Sequence, residues 1–208
     1  MKLLIIGDPH IPRRATQIPP IIMDKLFQLT SPNIFDYTFF TGDLIKAPDF
    51  IQFLKIHTKK DVFIVLGNMD YYGGNKNAPI SQMLKIKVGE DDFINIGLTH
   101  GHQISPRGDH SQLELLAQEN NYNLLISGHT HKEEVFLTDE GILLINPGSV
   151  TGAWSFIASG KLSFAILEIE ENKREIDIKL YSYDSRKQKF EENSFYYTIK
   201  NNKIIERF

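Results

Sequence analysis

Five short polar motifs in this chain each follow an apolar, strand-like run at the point where the run ends. The motifs are Gly7-Asp8-Pro9-His10, Thr41-Gly42-Asp43, Gly67-Asn68-Met69-Asp70, Thr99-His100-Gly101-His102 and Gly128-His129-Thr130-His131. In open α/β sheets, ligands bind in the crevice outside the carboxyl ends of the strands. The sequence therefore predicts that these widely separated motifs converge at one edge of a sheet.

The order of the apolar segments predicts an α/β fold. Strands are expected at Lys2–Ile6, Tyr37–Phe40, Val62–Leu66, Ile94–Leu98 and Leu124–Ile126, and helices at Pro19–Leu29, Pro48–His57 and Asp109–Asn120. The third helix is expected to bury Leu113, Leu115 and Leu116, and the last third of the chain to form strands at Val135–Leu137, Ile142–Ile145, Leu162–Ile169, Ile176–Tyr183 and Phe195–Ile199. No linker or repeat interrupts this order, so residues 1–208 are predicted to form one domain, a βαβ-type front half packed against a β-rich back half.

The residue types in the five motifs are those that bind divalent transition metals. Mn, Fe and Zn accept imidazole nitrogen and carboxylate oxygen, and an amide oxygen can fill a further position. Two pairs, Asp8 with His10 and His129 with His131, have i, i+2 spacing, which in an extended segment sends both side chains to one side. Each motif alone is also typical of a turn or a helix cap. Together they predict a metal site built from Asp8, His10, Asp43, Asn68, His100, His129 and His131.

Composition excludes several other classes of function. The formal net charge is −3 and the basic residues form no continuous track, so a nucleic-acid partner is not expected. Cysteine is absent, which excludes disulfides and thiolate metal sites and fits a reducing cytoplasm. The apolar run at the start ends at Gly7, shorter than a signal sequence requires, and no run approaches the ~20 residues of a membrane span. A cytoplasmic protein without membrane insertion is therefore expected.

With these motifs in this order, the sequence resembles the calcineurin-like metallophosphoesterases, whose signature combines GDxH, GD, GN, a strand-end histidine and GHTH. The resemblance covers about residues 1–170. It implies a four-layer αββα sandwich of two mixed β-sheets flanked by helices, which holds two divalent metal ions, with Mn expected and Zn or Fe as alternatives. It also implies that Asp8, His10, Asp43 and His131 bind one metal. The second metal would be bound by Asp43, Asn68, His100 and His129, so that Asp43 bridges the two.

The resemblance further implies a phosphodiesterase that hydrolyses phosphate esters. Two metals can clamp a phosphoryl group and lower the pKa of a bound water towards ~7, which generates hydroxide at neutral pH. The predicted catalytic residues are Asp43 and His102, and the predicted substrate contacts are Asn68, His102 and Arg107, with Asn146 as a further candidate. Many family enzymes have a proton-donating histidine where this chain has Met69. Either His102 replaces it, or only substrates with good leaving groups turn over.

The alternative function is that of a scaffold subunit. The HIP and HGHQ runs and the NPGSVTGA run at 146–153 resemble the small phosphoesterase-fold subunit of the retromer coat. That subunit commonly has degenerate ligands at the positions of Asp43 and Asn68, so these two residues favour the enzyme. The run Ile104–Arg107 is polar where the coat subunit has an apolar contact, which disfavours a retromer-type interface. The predicted partners are thus a small phosphodiester substrate and, in the alternative, a retromer-type protein; a nuclease is disfavoured.

Overall fold

The computed structural model describes residues 1–31, 34–90 and 92–207. The strands are β1 (Lys2–Ile6), β2 (Phe35–Phe40), β3 (Thr58–Ile64), β4 (Ser81–Val88), β5 (Asp92–Thr99), β6 (Leu124–Ile126), β7 (Glu133–Leu137), β8 (Leu143–Pro147), β9 (Leu162–Glu170), β10 (Glu175–Asp184), β11 (Lys189–Lys200) and β12 (Lys203–Glu206). The helices are α1 (Pro20–Thr30), α2 (Pro48–Ile56), α3 (Asn68–Tyr72) and α4 (His110–Glu119).

The strands form two mixed sheets. The seven-stranded sheet has the order β12-β11-β10-β9-β1-β2-β3, and the five-stranded sheet has the order β4-β5-β6-β8-β7. β1 runs parallel to β2 and antiparallel to β9, while β6 runs parallel to both β5 and β8. Parallel neighbours need a crossover connection, and α1, α2 and α4 lie in such crossovers. The parallel strands of both sheets therefore present their carboxyl ends to the loops that carry the polar motifs.

The three predicted helices begin within one residue of the expected positions. α1 and α2 each begin with a proline, which lacks the N–H that would have no partner in the first turn. At the start of α4, the Asp109 carboxylate accepts a hydrogen bond from Gln112 N at 2.9 Å, as expected for a cap. The predicted apolar stripe of α4 was wrong in one residue, because Leu115 is 54% exposed and Ala117 takes the buried position four residues after Leu113. Within the described ranges, no helix is long and apolar enough to cross a membrane.

Three apolar layers separate four layers of secondary structure. Alternate residues of β1 face opposite ways, so Leu3 and Ile5 enter the core between the sheets, whereas Leu4 and Ile6 pack towards α1 and α2. The core between the sheets also contains Phe39, Ile96, Leu124, Ile145, Leu167 and Ile204. On the outer side of the five-stranded sheet, α4 contributes Leu113 and Ala117 to a third cluster with Leu125 and Leu144. The predicted αββα sandwich of two mixed sheets is confirmed.

The main differences from the prediction lie at sheet edges. β3 runs from Thr58 to Ile64 rather than over 62–66, because the polar residues Thr58 and Asp61 already pair with β2, with an irregularity in the register between them. β4 and β12 were not predicted, and both are edge strands with one exposed face. Edge strands carry many charged residues, which weakens their apolar signal in the sequence. The short helix α3 was also not predicted.

Candidate metal centre

The five motifs meet at one edge, between the two sheets. Asp8 follows β1 and Asp43 follows β2, both in the large sheet, whereas His100 directly follows β5 in the small sheet. The His129–His131 segment follows β6, and Asn68 is the first residue of α3. His100 Nδ1 donates to Thr41 O at 2.7 Å, which joins the two sheets across the centre. The convergence expected from the strand-end pattern is present in the structure.

The first group of candidate ligands is Asp8, His10 and His131. One ligand atom from each lies within 4.8 Å of the others, and all three residues are buried. His10 Nε2 is 2.9 Å from His131 Nε2, and His131 Nε2 is 3.3 Å from Asp8 Oδ1. Asp43 Oδ2 adds a further oxygen at 3.4 Å from His10 Nε2. The structure thus brings together the four residues that the resemblance assigns to one metal.

The second group is Asp8, Asp43 and His100, whose ligand atoms also lie within 4.8 Å of one another. His100 Nε2 is 3.5 Å from Asp43 Oδ2 and 3.2 Å from Asn68 Oδ1. His129 lies beside this group, with its ring centroid 5.1 Å from that of His100. The second group therefore contains Asp8, which was not expected there, together with the expected Asp43 and His100. The expected Asn68 and His129 lie next to His100 but outside this group.

The protein orients the histidines through the ring nitrogen that faces away from the centre. His131 Nδ1 donates to Ala153 O at 2.9 Å, and His100 Nδ1 donates to Thr41 O. A carbonyl oxygen only accepts, so both rings carry hydrogen on Nδ1 and direct Nε2 towards the centre. His10 Nδ1 is buried without a hydrogen-bond partner in the part of the chain that the structure describes, and such a buried polar atom is uncommon outside functional sites.

Of the predicted catalytic and substrate residues, Asp43 and Asn68 lie in the centre. His102 and Arg107 lie at its rim. The exposed His102 ring has its centroid 5.5 Å from His100 and 6.3 Å from His129. Arg107 is exposed as well, and its positive charge acts on His129. Met69 takes part through its main chain, because its N–H donates to Asp43 Oδ1 at 2.7 Å. Asn146 donates to Gly128 O at 2.8 Å and accepts from Gly148 N, so its amide binds the loop itself, and nothing in the structure favours a substrate contact.

Five of the seven candidate ligands have left-handed backbone. The φ angles are 53° for Asp8, 50° for His10, 56° for Asp43, 67° for His129 and 59° for His131. The expectation that the i, i+2 pairs share one side of an extended segment was therefore wrong. Asp8 Oδ1 and His10 Nε2 nevertheless lie 3.8 Å apart. Asp and His occupy this region more often than most residues, but each still costs free energy that the surroundings must offset.

Asp70 offsets part of that cost, and sequence reasoning gave it no role. Its buried carboxylate accepts hydrogen bonds from Asp43 N and Ile45 N, each at 2.7 Å, and from Gly67 N at 3.1 Å. The last of these bonds has the geometry of a capping box at the start of α3. An acidic residue three positions after Gly67 is the signal that identifies it in the sequence.

Hydroxyl groups of three side chains donate hydrogen bonds to the Asp8–His10 loop. Thr41 Oγ1 donates to Asp8 Oδ2 at 2.9 Å, and Ser149 Oγ donates to Asp8 O at 2.7 Å. Thr151 Oγ1 donates to the next carbonyl, Pro9 O, at 3.0 Å. The segment after β8 therefore fixes the Asp8–His10 loop through the hydroxyl groups of Ser149 and Thr151.

Burial and neighbouring charges set the protonation states of the ligands. Burial raises the pKa of Asp43 to about 6, whereas burial lowers the pKa of His10 and of His129 to about 3. Burial works against the charged forms of Asp8 and His131 too, but their mutual hydrogen bond and attraction lower the pKa of Asp8 and raise the pKa of His131. At neutral pH the carboxylates of Asp8 and Asp43 are thus ionised. The imidazoles of His10 and His129 are neutral, so both sets of groups are in the forms that bind divalent cations.

The donor set fits divalent transition metals. Imidazole nitrogens, carboxylate oxygens and one amide oxygen converge from separate loops. The two groups share Asp8, and Asp43 Oδ2 lies within 3.5 Å of a histidine Nε2 in each. Mixed nitrogen and oxygen ligands of this kind suit Zn, Fe or Mn. The residues that could hold one ion are Asp8, His10, Asp43 and His131, and those that could hold a second are Asp43, Asn68 and His100, with His129 beside them.

Comparison with known proteins identifies the family. Residues 1–172 match the calcineurin-like phosphoesterase superfamily domain. A probable metallophosphoesterase from Methanothermobacter thermautotrophicus is 36% identical over 152 residues, which cover 73% of this chain and 78% of the relative.

Two solved structures show the same architecture. A single mutant of Vps29 from Entamoeba histolytica superposes with a TM-score of 0.78 and 31% identity over 94% of this chain and 99% of that one. Wild-type Vps29 from the same organism, complexed with zinc, gives a TM-score of 0.75 and 32% identity over 93% and 99%. The family match covers most of the chain and agrees with the similar relatives and with the strand-end ligand motifs. The chain therefore belongs to the calcineurin-like phosphoesterase superfamily.

Proposed function

We propose that this protein is a metal-dependent phosphodiesterase that uses two divalent ions, with Mn expected and Zn or Fe as alternatives. The observation that carries the proposal is the pair of buried ligand groups that share Asp8 and that Asp43 contacts from one side chain. Asp43 Oδ2 lies 3.4 Å from His10 Nε2 and 3.5 Å from His100 Nε2, so one carboxylate faces both groups. This placement supports the assignment of Asp43 as the residue that bridges two ions.

The metals, when bound, supply Lewis acidity and lower the pKa of a water at the centre. The residues of the chain supply orientation. Asn68 and His102 flank the second ligand group, and Arg107 adds a positive charge at the rim, so these three residues can bind phosphate oxygens. Substrate phosphate would then lie between the two ligand groups and the rim cation.

His102 is a weak source of protons for the leaving group. Partial desolvation of the ring, together with the neighbouring His100, lowers the pKa of His102 and favours the neutral imidazole, which can donate one hydrogen bond. Met69 occupies the position where family enzymes often have a proton donor, and its thioether cannot transfer a proton. We therefore propose that the enzyme favours esters with good leaving groups, such as phenolates.

Hydrolysis of bis-p-nitrophenyl phosphate, with and without added Mn²⁺, tests the proposal. We expect Mn-dependent release of p-nitrophenolate that is lost in Asp43→Ala. The matched control is Asp61→Ala, since Asp61 is an exposed aspartate outside the centre and its loss should leave turnover unchanged. Full activity in Asp43→Ala would refute the proposed role of the centre.

A retromer-type scaffold is the second candidate function. The likeness to Vps29 over 94% of this chain supports it, as does Met69. The segment after β5 speaks against it, because the apolar Ile104 is buried and Ser105, Pro106 and Arg107 are exposed, which leaves a polar surface there. A folded protein that binds metal but shows no turnover with Mn²⁺, Zn²⁺ or Fe²⁺ would favour the scaffold.

We also propose that residues 1–208 act as one domain in the cytoplasm. Leu3, near the start of the chain, and Ile204, near its end, belong to the same core between the sheets, which supports one folding unit. The absence of cysteine is compatible with a reducing compartment. A single cooperative transition in urea and recovery in the cytosolic fraction are expected, whereas two separate transitions would contradict the one-domain proposal.

A further inference from the structure

Trp154 and Phe156 form an exposed aromatic pair on the segment that follows β8. Trp154 is 64% exposed and Phe156 is 82% exposed, and no other large hydrophobic side chain in the described part of the chain exceeds Phe156. Their ring centroids lie 5.0 Å apart with an interplanar angle of 62°. The next residue, Ile157, is 43% exposed. Two large exposed aromatic side chains in contact form a candidate binding surface.

The backbone of this pair is attached to the metal centre. Ala153 O, just before Trp154, accepts the hydrogen bond from His131 Nδ1 at 2.9 Å. On the other side of Trp154, Ser155 Oγ donates to Thr130 O within the same ligand motif. The aromatic pair is therefore held at a fixed position next to the ligand loop, and it does not belong to an independent surface.

The side chain and main chain of Arg14 join the aromatic pair to the Asp8–His10 loop. Arg14 Nη1 donates to Trp154 O at 2.6 Å, and Arg14 N donates to His10 O at 2.8 Å. The positive charge of Arg14 also acts on His10 and His131. A guanidinium has five N–H donors, so the bond to Trp154 O leaves others available for a phosphate oxygen.

We propose that Trp154 and Phe156 bind an aromatic ring of the phosphodiester, such as a nucleobase, while Arg14 binds its phosphate. The inference rests on the proposed phosphodiesterase function, and it specifies the substrate class. Stacking on aromatic side chains accepts any base because every base has a π-face, and it contributes substantially to binding at such sites. The substrate is thus a phosphodiester in which at least one ester group carries a planar ring.

Intrinsic fluorescence tests binding separately from catalysis, because Trp154 is the only tryptophan in the chain. The Mn-loaded protein is titrated with adenosine 5′-monophosphate and, as a matched probe without a base, with ribose 5-phosphate. Excitation at the red edge of tryptophan absorption avoids absorption of the exciting light by adenine. We expect the nucleotide to quench the Trp154 fluorescence saturably. Its dissociation constant should be about tenfold lower than that of ribose 5-phosphate, which is measured by competition with the nucleotide. Phe156→Ala should weaken nucleotide binding about tenfold and leave competition by ribose 5-phosphate unchanged.

Two kinetic substrates with the same leaving group give the second readout. Phenyl p-nitrophenyl phosphate and methyl p-nitrophenyl phosphate differ only in the group that stays on phosphorus. Trp154→Ala should raise KM for the phenyl ester about tenfold without changing kcat, and leave KM for the methyl ester unchanged. Trp154→Phe should restore the preference. Tyr196→Ala is the matched control, since Tyr196 is 49% exposed on β11 and should affect neither ester.

The outcomes separate this proposal from the proposed function. Equal affinity for the two binding probes, or nucleotide affinity unchanged in Phe156→Ala, would overturn the aromatic site even in an active enzyme. That result is also what a patch dedicated to a protein partner would give. Saturable nucleotide quenching in a protein without turnover would support the aromatic site and contradict the hydrolytic function.

Discussion

Asp70 holds the backbone of the metal centre although it belongs to neither ligand group. Its carboxylate is 4% exposed and accepts three main-chain hydrogen bonds, from Asp43, Ile45 and Gly67. Asp43 and Ile45 have φ angles of 56° and 68°, so these bonds stabilise a conformation that the chain would otherwise avoid. We expect Asp70→Ala to weaken both the fold and metal binding.

The magnitude follows from the burial of the three donors. Asp43 N and Gly67 N are buried with Asp70, whereas the bond from Ile45 N is partly exposed, where water can replace the carboxylate. A hydrogen bond to a charged group contributes about 1.5–3 kcal/mol, so the two buried bonds give about 3–6 kcal/mol for Asp70→Ala. Asp70→Asn keeps the shape and one acceptor oxygen, and it should cost about half as much.

Urea denaturation in the presence of a chelator measures this loss without a contribution from bound metal. Asp61→Ala is the matched control, because Asp61 is exposed and accepts from its neighbour Val62 N, and its change should stay within about 0.5 kcal/mol. In calorimetric titration with Mn²⁺, Asp70→Asn should bind about 10–100-fold more weakly, as expected for a residue that orients ligands. An Asp70→Ala protein that loses less than about 1 kcal/mol and binds Mn²⁺ normally would refute the reasoning.

Three further perturbations have definite expected results. In Gly67→Ala, the new Cβ would lie 2.0 Å from Asp43 Oδ1 and 2.4 Å from Asp43 N, so we expect loss of Mn²⁺ binding in a calorimetric titration; normal binding would contradict this. Ser149→Ala removes the buried hydroxyl that donates to Asp8 O and should lower the free energy of unfolding by about 1–3 kcal/mol in urea, whereas an unchanged value would show that the bond is dispensable. Since burial raises the pKa of Asp43 to about 6, protons displace metal below that pH, and Mn²⁺ affinity should fall up to about tenfold for each further pH unit. His10, whose pKa is about 3, stays neutral over most of this range, so an affinity independent of pH between about 5 and 7 would argue against Asp43 as a ligand.

The layout of the fold could be predicted because its signals are local. Apolar runs that end in a glycine and a polar residue mark buried strands that deliver side chains to one edge, and Asp8, Asp43 and His100 all lie at such ends. The proline at the start of α2 and the cap at Asp109 identify two helix beginnings in the same way. These features need no knowledge of which strands pair.

The remaining features depend on contacts between distant segments. Asp70 reaches Asp43 and Ile45 only after β2 and β3 have paired, so the sequence gives its spacing but not its partners. The left-handed backbone at the ligands is imposed by the surrounding hydrogen bonds, and an i, i+2 spacing alone does not reveal it. The exposure of Trp154 is likewise invisible in a sequence, where an aromatic residue near a turn is equally consistent with the core.

Equilibrium dialysis of the purified protein against Mn²⁺, followed by elemental analysis, measures how many ions the strand-end cluster binds. We predict two ions per chain for the wild-type protein. Asp43→Ala should lose both, because Asp43 Oδ2 lies 3.4 Å from His10 Nε2 in one group and 3.5 Å from His100 Nε2 in the other. A wild-type chain that binds no ion, or an Asp43→Ala chain that still binds two, would contradict a binuclear centre at this edge of the sheets.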